Sequence, residues 1–229
     1  IEDVYSYFLH SLTLYEELGD RHTLPNAHLL LSEALLHLGQ IDESQVQIQK
    51  ALALVHRSGD YFYQGWALLM AGMASVFINE YAEAEKQLYG SIELFLQSGQ
   101  SRRISESWSI LAIVAVEMND APRARNCLYN ALRMLKDERY LPPILFALEA
   151  TTFYLSHQDA LIEATEIGAL MSRYNLLKSS IWTDVVIRQP LRLATATLSP
   201  AIVASAQARG QTFDLWTTAM RQLEQLASH

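Results

Sequence analysis

The chain of 229 residues is short of the residues that staple, break or anchor a fold. It has one cysteine, 9 glycines and 6 prolines. A single cysteine, Cys127, makes no internal disulfide and no thiolate metal cage, which excludes a stapled secreted scaffold and points to a reducing, cytoplasmic setting. Basic residues are also scarce: 17 Lys and Arg stand against 25 Asp and Glu, a net charge of −8. Such a chain repels a phosphate backbone unless its bases gather on one face, so no direct nucleic-acid partner is expected. The longest nearly unbroken apolar run, Trp66 to Ile78, is 13 residues, short of the roughly 20 a membrane helix needs. No membrane partner is expected either. What is abundant is hydrophobic surface, half of all residues, enough to build a large core and too much for a disordered chain. The chain opens on Ile1 inside an amphipathic segment, which reads as a piece of something longer.

A forty-residue rhythm organises this apolar content. Gly19, Gly59 and Gly99 are forty residues apart, each in a Leu/Ser-Gly-Asp/Gln phrase; Gly39, Asn79 and Asn119 keep the same step midway between them. Gly and Asn are the residues that most readily take the left-handed conformation just past a helix C-terminus, so each repeat holds two helices and two stops. Side-chain columns share the register. Ser44, Ala84, Ala124 and Ala164 are small, as are Ser11, Ala51, Ser91 and Ala131, and Ser32, Gly72 and Ala112; Ile48, Leu88 and Leu128, with Phe8 before them, and Leu12, Leu52, Ile92 and Leu132 are large and apolar. Small residues let two helices approach and the large ones fill the groove beside them. The expected fold is all-α.

These columns resemble the tetratricopeptide repeat family, in a variant longer than the usual 34-residue unit. Trp108 stands at that family's early aromatic, Leu31 and Leu111 at its leucine, Ser32, Gly72 and Ala112 at its small residue, and Ala84 with Ala124, then Ala51 with Ala131, at the two alanines of the second helix. Ile41 and Tyr81 follow the inter-helix turn where the family often has Tyr. His28 and Leu68 depart from the aromatic, and the terminal proline is missing. The resemblance covers roughly residues 1 to 170 and implies an α-α superhelix, a solenoid of antiparallel helix pairs.

The stops place a truncated repeat at 1 to 18, then pairs at 22–38 with 42–58, 61–78 with 81–98, and 102–118 with 121–136. A degenerate pair follows near 143–156 and 159–174, where Gln158 and Asp159 replace the glycine turn. Two domains are expected: the array over 1–174, and an irregular segment with a C-terminal helical cap over 175–229. Pro190 argues against one continuous helix in the irregular part, Ser199 caps a helix that Gly210 ends, and the last segment presents Phe213, Leu215, Trp216, Met220, Leu223 and Leu226. From Ala201 to Met220 the tail is similar to the Ala-rich helix, Arg-Gly turn and final helix of LuxR-type and related signal-transducing (STAND) ATPases, whose array is a sensor and scaffold arm. Gly168 and Ala169 resemble a phrase of their last repeat. No NTPase motif is present here.

No catalytic constellation stands out: there is no phosphate loop, no His-Glu-x-x-His, no Gly-x-Ser-x-Gly and no paired-cysteine spacing. The seven histidines, at 10, 22, 28, 37, 56, 157 and 229, never fall four apart on one helical face. No enzyme activity, metal or cofactor is expected, and Cys127 beside Leu128 reads as a buried small hydrophobe. Arg123, Arg125 and Arg133, near Arg102 and Arg103, are either a phosphate-facing patch or a solvated face with Glu117 and Asp120 as counter-charges.

Binding is therefore expected on the groove that the resemblance implies along the first helices. Counting back from the mid-repeat stops gives Asn26, Leu29, Glu33 and His37; Trp66, Leu69, Met73 and Phe77; and Glu106, Ser109, Ile113 and Glu117, with Phe146, Glu149 and Phe153 as a looser fourth set. The centre is apolar and the rim acidic, which suits a peptide segment or another domain of the same parent chain. Trp66 and Phe77 also read as core, packed on the next hairpin or the tail. The leading expectation is a protein-interaction sensor module of a larger signalling or transcriptional regulator. The alternatives are an inducer-binding domain, with a small-molecule effector held against residues 175–200, and a self-association scaffold, a homodimer through exposed Val4, Tyr5, Phe8 and Leu12.

Overall fold

The computed structural model describes residues 2–20, 22–55, 59–137, 140–174 and 179–228. Those residues are all-α, with no strand among them. Residues 56–58 at the end of one expected helix, His56, Ser58 and His229, and the start of the expected irregular segment at 175–178 lie outside the described residues. The helices are α1 (Glu2–Leu18), α2 (Leu24–His37), α3 (Ile41–Val55), α4 (Tyr61–Phe77), α5 (Tyr81–Ser98), α6 (Ser101–Glu117), α7 (Ala121–Met134), α8 (Leu141–Ser156) and α9 (Leu161–Met171). After them come α10 (Ile181–Thr183), a π-turn (Asp184–Arg188), α11 (Gln189–Thr195), α12 (Pro200–Gly210) and α13 (Leu215–Ala227).

The forty-residue stops have one physical construction. Gly39, Asn79 and Asn119 all sit at positive φ, at 74°, 62° and 58°, and Asp159 continues the step at 56°. At each, the next amide reaches back five residues: Gln40 N to Leu35 O, Glu80 N to Ser75 O, Asp120 N to Ala115 O and Ala160 N to Leu155 O, at 2.8 to 3.1 Å. That bond satisfies a carbonyl the helix leaves open, and the left-handed residue makes it reachable. Asp carries this conformation less readily than Gly or Asn, but its short polar side chain tolerates it.

The chain divides into two compact units. Unit 1 is residues 1–100 with Ser179–Trp182; unit 2 is 101–178 with 183–229. In unit 1, α2 pairs with α3 and α4 with α5, and α1 lies on α2. The small column works as the register implies. Ser32 and Ser44 approach closely enough for their buried hydroxyls to hydrogen-bond at 2.9 Å, and at Gly72 an added Cβ would come within 2.7 Å of Leu88 Cγ. Leu12 is buried with Ala27, Leu31 and Leu35, and Tyr5 and Phe8 are packed against them. Of the expected exposed strip on α1, Val4 is exposed, Tyr5 and Phe8 are half-buried and Leu12 is buried, because α2 packs on that side.

In unit 2, α6 pairs with α7 and α8 with α9, while α12 lies on α9 and α13 on α7. Ala124, Ala131 and Ala164, with Cys127 and Leu128, are all buried. Leu215 is buried too, and Phe213, Trp216, Met220, Leu223 and Leu226 pack against the core of Leu132, Leu145, Leu148 and Ile167. Asp120, Ser199 and Asp214 cap their helices by accepting from Arg123 N, Ile202 N and Thr217 N, as oxygen-bearing N-cap side chains do.

One expectation fails here for an identifiable reason. The stretch 181–195 is helical rather than irregular, because a π-turn precedes Pro190, with Gln189 N bonded to Asp184 O. The widened turn accommodates a proline that lacks an N–H. Gly210 ends α12 as expected, but not by a left-handed turn: it is buried, and any Cβ there would overlap the Glu166 carbonyl of α9, so the glycine serves close helix approach.

Candidate functional site

Among the described residues, a face of unit 1 and a cleft of unit 2 each combine apolar surface with polar groups aimed at one point. The first is the face of α2 and α4 in unit 1, where the groove was expected. Its apolar members are not available to an outside ligand: Leu29, Trp66, Leu69 and Met73 are buried, Trp66 with only 3% of its surface exposed. The core reading of Trp66 therefore holds, while Asn26, Glu33, His37 and Phe77 remain half-buried. Phe62 packs on both Trp66 and Phe95, with ring centroids 5.8 and 6.2 Å apart.

The other occupant of this face comes from far along the chain. Ser179–Trp182 belongs to unit 1 although the residues on both sides of it belong to unit 2. Trp182 is fully buried and its indole N–H donates to the Met73 carbonyl of α4 at 2.9 Å. Ser180, also buried, pairs its hydroxyl with His37 Nδ1 of α2 at 2.8 Å. Ile181 lies over the α2 stop, its Cβ 3.6 Å from where a Cβ on Gly39 would be. Burial pushes the His37 imidazole down from its ordinary range, with Glu33 pulling the other way. His28, hydrogen-bonded to Gln47 at 2.8 Å, is pushed down for the same reason. Burial of both rings favours the neutral imidazole.

The second place lies wholly in unit 2. A cleft of about 630 Å³ runs between α8, α9, α11 and α12, inside the size range that holds small organic ligands. Its walls are Ile187, Leu191, Val203 and Met171, with Gly168 opposite Leu191. The threonines add little polarity, because Thr152, Thr165 and Thr195 turn their hydroxyls onto carbonyls one turn back in their own helices. One charged pair stands in this apolar wall. Glu149 of α8, 4% exposed, accepts from Arg188 Nη2 at 2.9 Å. Burial pushes the Glu149 carboxyl above its ordinary range, against the pull of Arg188. At the rim, Arg192 grips Asp184 with two bonds of 2.9 and 3.1 Å, and that grip holds the Asp184 carboxyl below its usual range.

The remaining expected residues fall elsewhere. Glu106 is paired with Arg103 at 2.8 Å, Ser109 donates to Ser105 O, Ile113 is buried and Glu117 is half-buried; all four lie in unit 2, apart from the two sets of unit 1. Of the fourth set, Phe153 is core, Phe146 packs on the unit 2 core, and Glu149 reaches the cleft. The arginines each have a neighbour of their own. Arg123 pairs with Asp120, Arg125 donates to the Leu226 carbonyl, and Arg102 and Arg133 lie over the Tyr140 and Tyr129 rings.

Sequence reasoning missed Trp182 and Arg188. A signal for the second existed: Glu149 stands in the run Ala147-Leu148-Glu149-Ala150, and a carboxylate in so apolar a helix needs a cationic partner. Nothing periodic marks Trp182. Among the described residues no group of His, Cys, Asp and Glu is placed to hold a metal ion, and no helix is long and apolar enough to cross a membrane. Compared with known proteins, the chain matches no family model and no curated protein.

Proposed function

We infer that the chain is an interaction module of the tetratricopeptide-like kind, serving within a larger signalling or transcriptional regulator, and that its α2/α4 face receives a tryptophan-bearing chain segment. One observation carries this reading. A segment of the chain itself lies there, with the Trp182 indole on the Met73 carbonyl and the Ser180 hydroxyl on His37. These are the elements of peptide recognition: a large aromatic anchor whose single N–H is matched, and one directional polar contact two residues before it. An outside partner offering a hydroxyl residue two positions before a tryptophan competes for the same contacts. Binding is then coupled to release of residues 179–182, so the partner's affinity is reduced by the stability of the internal arrangement. Such competition is the means by which the module reports that a partner is present.

The test uses the full chain carrying Trp182→Ala and a dye-labelled peptide of residues 177–186. Fluorescence anisotropy is expected to show saturable binding to the variant, weaker binding to the parent chain, and none by a peptide whose own tryptophan is replaced by alanine. Equal binding to parent and variant, or no binding to the variant with its helicity intact, contradicts the reading.

A further inference from the structure

The unit 2 cleft shares no lining residue with the α2/α4 face, and its chemistry selects a ligand class. We propose that it binds a small molecule with an apolar body and a net-neutral head presenting a hydrogen-bond donor beside an acceptor, the head resting on the Glu149–Arg188 pair. The body is set by the walls. Ile187, Leu191, Val203 and Met171 line the cleft, and the threonine hydroxyls are already used by their own helices. An aliphatic or aromatic group gains from leaving water against those walls, beside the polar lining groups Ser172, Tyr174, Gln207 and Gln211.

The head is set by charge. Glu149 with Arg188 and Asp184 with Arg192 make two ion pairs, with Asp184 also in the field of Arg188, so the four charges cancel. A lone carboxylate that draws Arg188 away leaves Glu149, 4% exposed, without its counter-charge. A lone ammonium that takes Glu149 adds a positive charge beside Arg188, whose side chain is 25% exposed. Breaking a buried pair from one side is costly. A head that accepts from the guanidinium and donates to the carboxylate leaves both ions compensated, and lengthens the pair without separating its charges into an apolar wall. Two kinds of head meet this requirement: the zwitterion of an α-amino acid and a primary carboxamide.

Matched six-carbon probes separate the possibilities in calorimetric titrations of the full chain: norleucine, hexanamide, hexanoate and hexylamine. The expected result is saturable binding of norleucine or hexanamide, whichever of the two identifies the head, with hexanoate and hexylamine weaker by about tenfold or more. Ala208→Phe places a ring at the exposed lip of the cleft and is expected to weaken the bound probe by about tenfold with helicity unchanged. Glu149→Gln removes one negative charge from the cluster and is expected to turn the preference toward hexanoate, a reversal that a purely structural role for Glu149 does not produce. The proposal is overturned if neither neutral-headed probe binds at millimolar concentration, if a singly charged probe binds the parent chain as tightly, or if neither substitution changes the binding.

Discussion

The α2/α4 face of unit 1 and the α8/α9/α11/α12 cleft of unit 2 begin from the same plan of paired helices and end as different surfaces. On α2 and α4 the apolar side chains are sealed, and the chain supplies its own tryptophan and serine to the polar atoms there. Around the cleft the walls stay open by about 630 Å³, and the polar focus is an ion pair rather than a backbone carbonyl. Repetition of a helical pair thus fixes the scaffold and leaves the surface chemistry to residues outside the repeating columns. A carbonyl and a neutral imidazole suit an indole and a hydroxyl, whereas a closed ion pair suits a head that both donates and accepts.

The contrast is broken most strongly by removing its two anchors. Trp182→Ala deletes a fully buried indole, and equilibrium denaturation should register a loss of about 3–5 kcal/mol, with amide exchange rising first in α2 and α4. Trp182→Phe keeps most of the volume and loses the bond to Met73, a cost of about 1 kcal/mol. In unit 2, Arg188→Ala leaves the Glu149 carboxylate buried and alone, again about 3–5 kcal/mol. The added mutation Glu149→Leu should restore much of that loss, since an apolar side chain of similar volume often replaces a buried ion without penalty.

Close helix approach gives intermediate effects. Gly210→Ala and Gly72→Ala each force a methyl into a neighbour, the Glu166 carbonyl in one case and the Leu88 side chain in the other. Overpacking of this kind costs about 1–3 kcal/mol. Gly210→Ala should be the worse of the two in thermal unfolding, because a backbone carbonyl yields less readily than a leucine tip.

The smallest effect is the most discriminating, because the two units respond to acid with opposite signs. His28 and His37 have imidazoles pushed down by burial, so below about pH 6.5 the unfolded chain takes up protons that the folded one resists. Their contribution to unit 1 is lost as pH falls. Glu149 has its carboxyl pushed up, so the folded form takes the proton first as pH falls toward the ordinary carboxylate value near about 4.3. That contribution to unit 2 grows. Amide exchange between these pH values should show α2 and α4 loosening while α8 tightens, and Glu149→Gln should abolish only the second trend.

The repeating part of the molecule was legible because it is punctuated. Gly39, Asn79 and Asn119 announce left-handed stops, and the small columns at Ser44, Ala84 and Ala124 announce where helices meet. Asp159 keeps the same construction in a residue type that rarely announces it. The surfaces were far less legible. Trp182 reaches Met73 across 109 positions of sequence, and no local period encodes a contact of that span. Pro190 signals a helix break, yet a π-turn absorbs it. Gly210 has the look of a terminator, and only the position of the Glu166 carbonyl shows why a glycine is needed there. Glu149 lay within reach of the groove counting, but its partner lies on an element whose helical character the proline concealed.

The seating of Ser179–Trp182 on the α2/α4 face is most directly tested by a covalent link. A Cβ at position 39 would lie 3.6 Å from the Ile181 Cβ, close to the spacing of about 3.8 Å found in disulfides. In a chain with Cys127→Ala, the pair Gly39→Cys and Ile181→Cys should form an intramolecular disulfide under mild oxidation, seen as a reducible mobility shift of the monomer, despite about 1 kcal/mol of strain at the left-handed position 39. If the two cysteines stay reduced, or link only between separate chains, the segment does not lie where the account requires it.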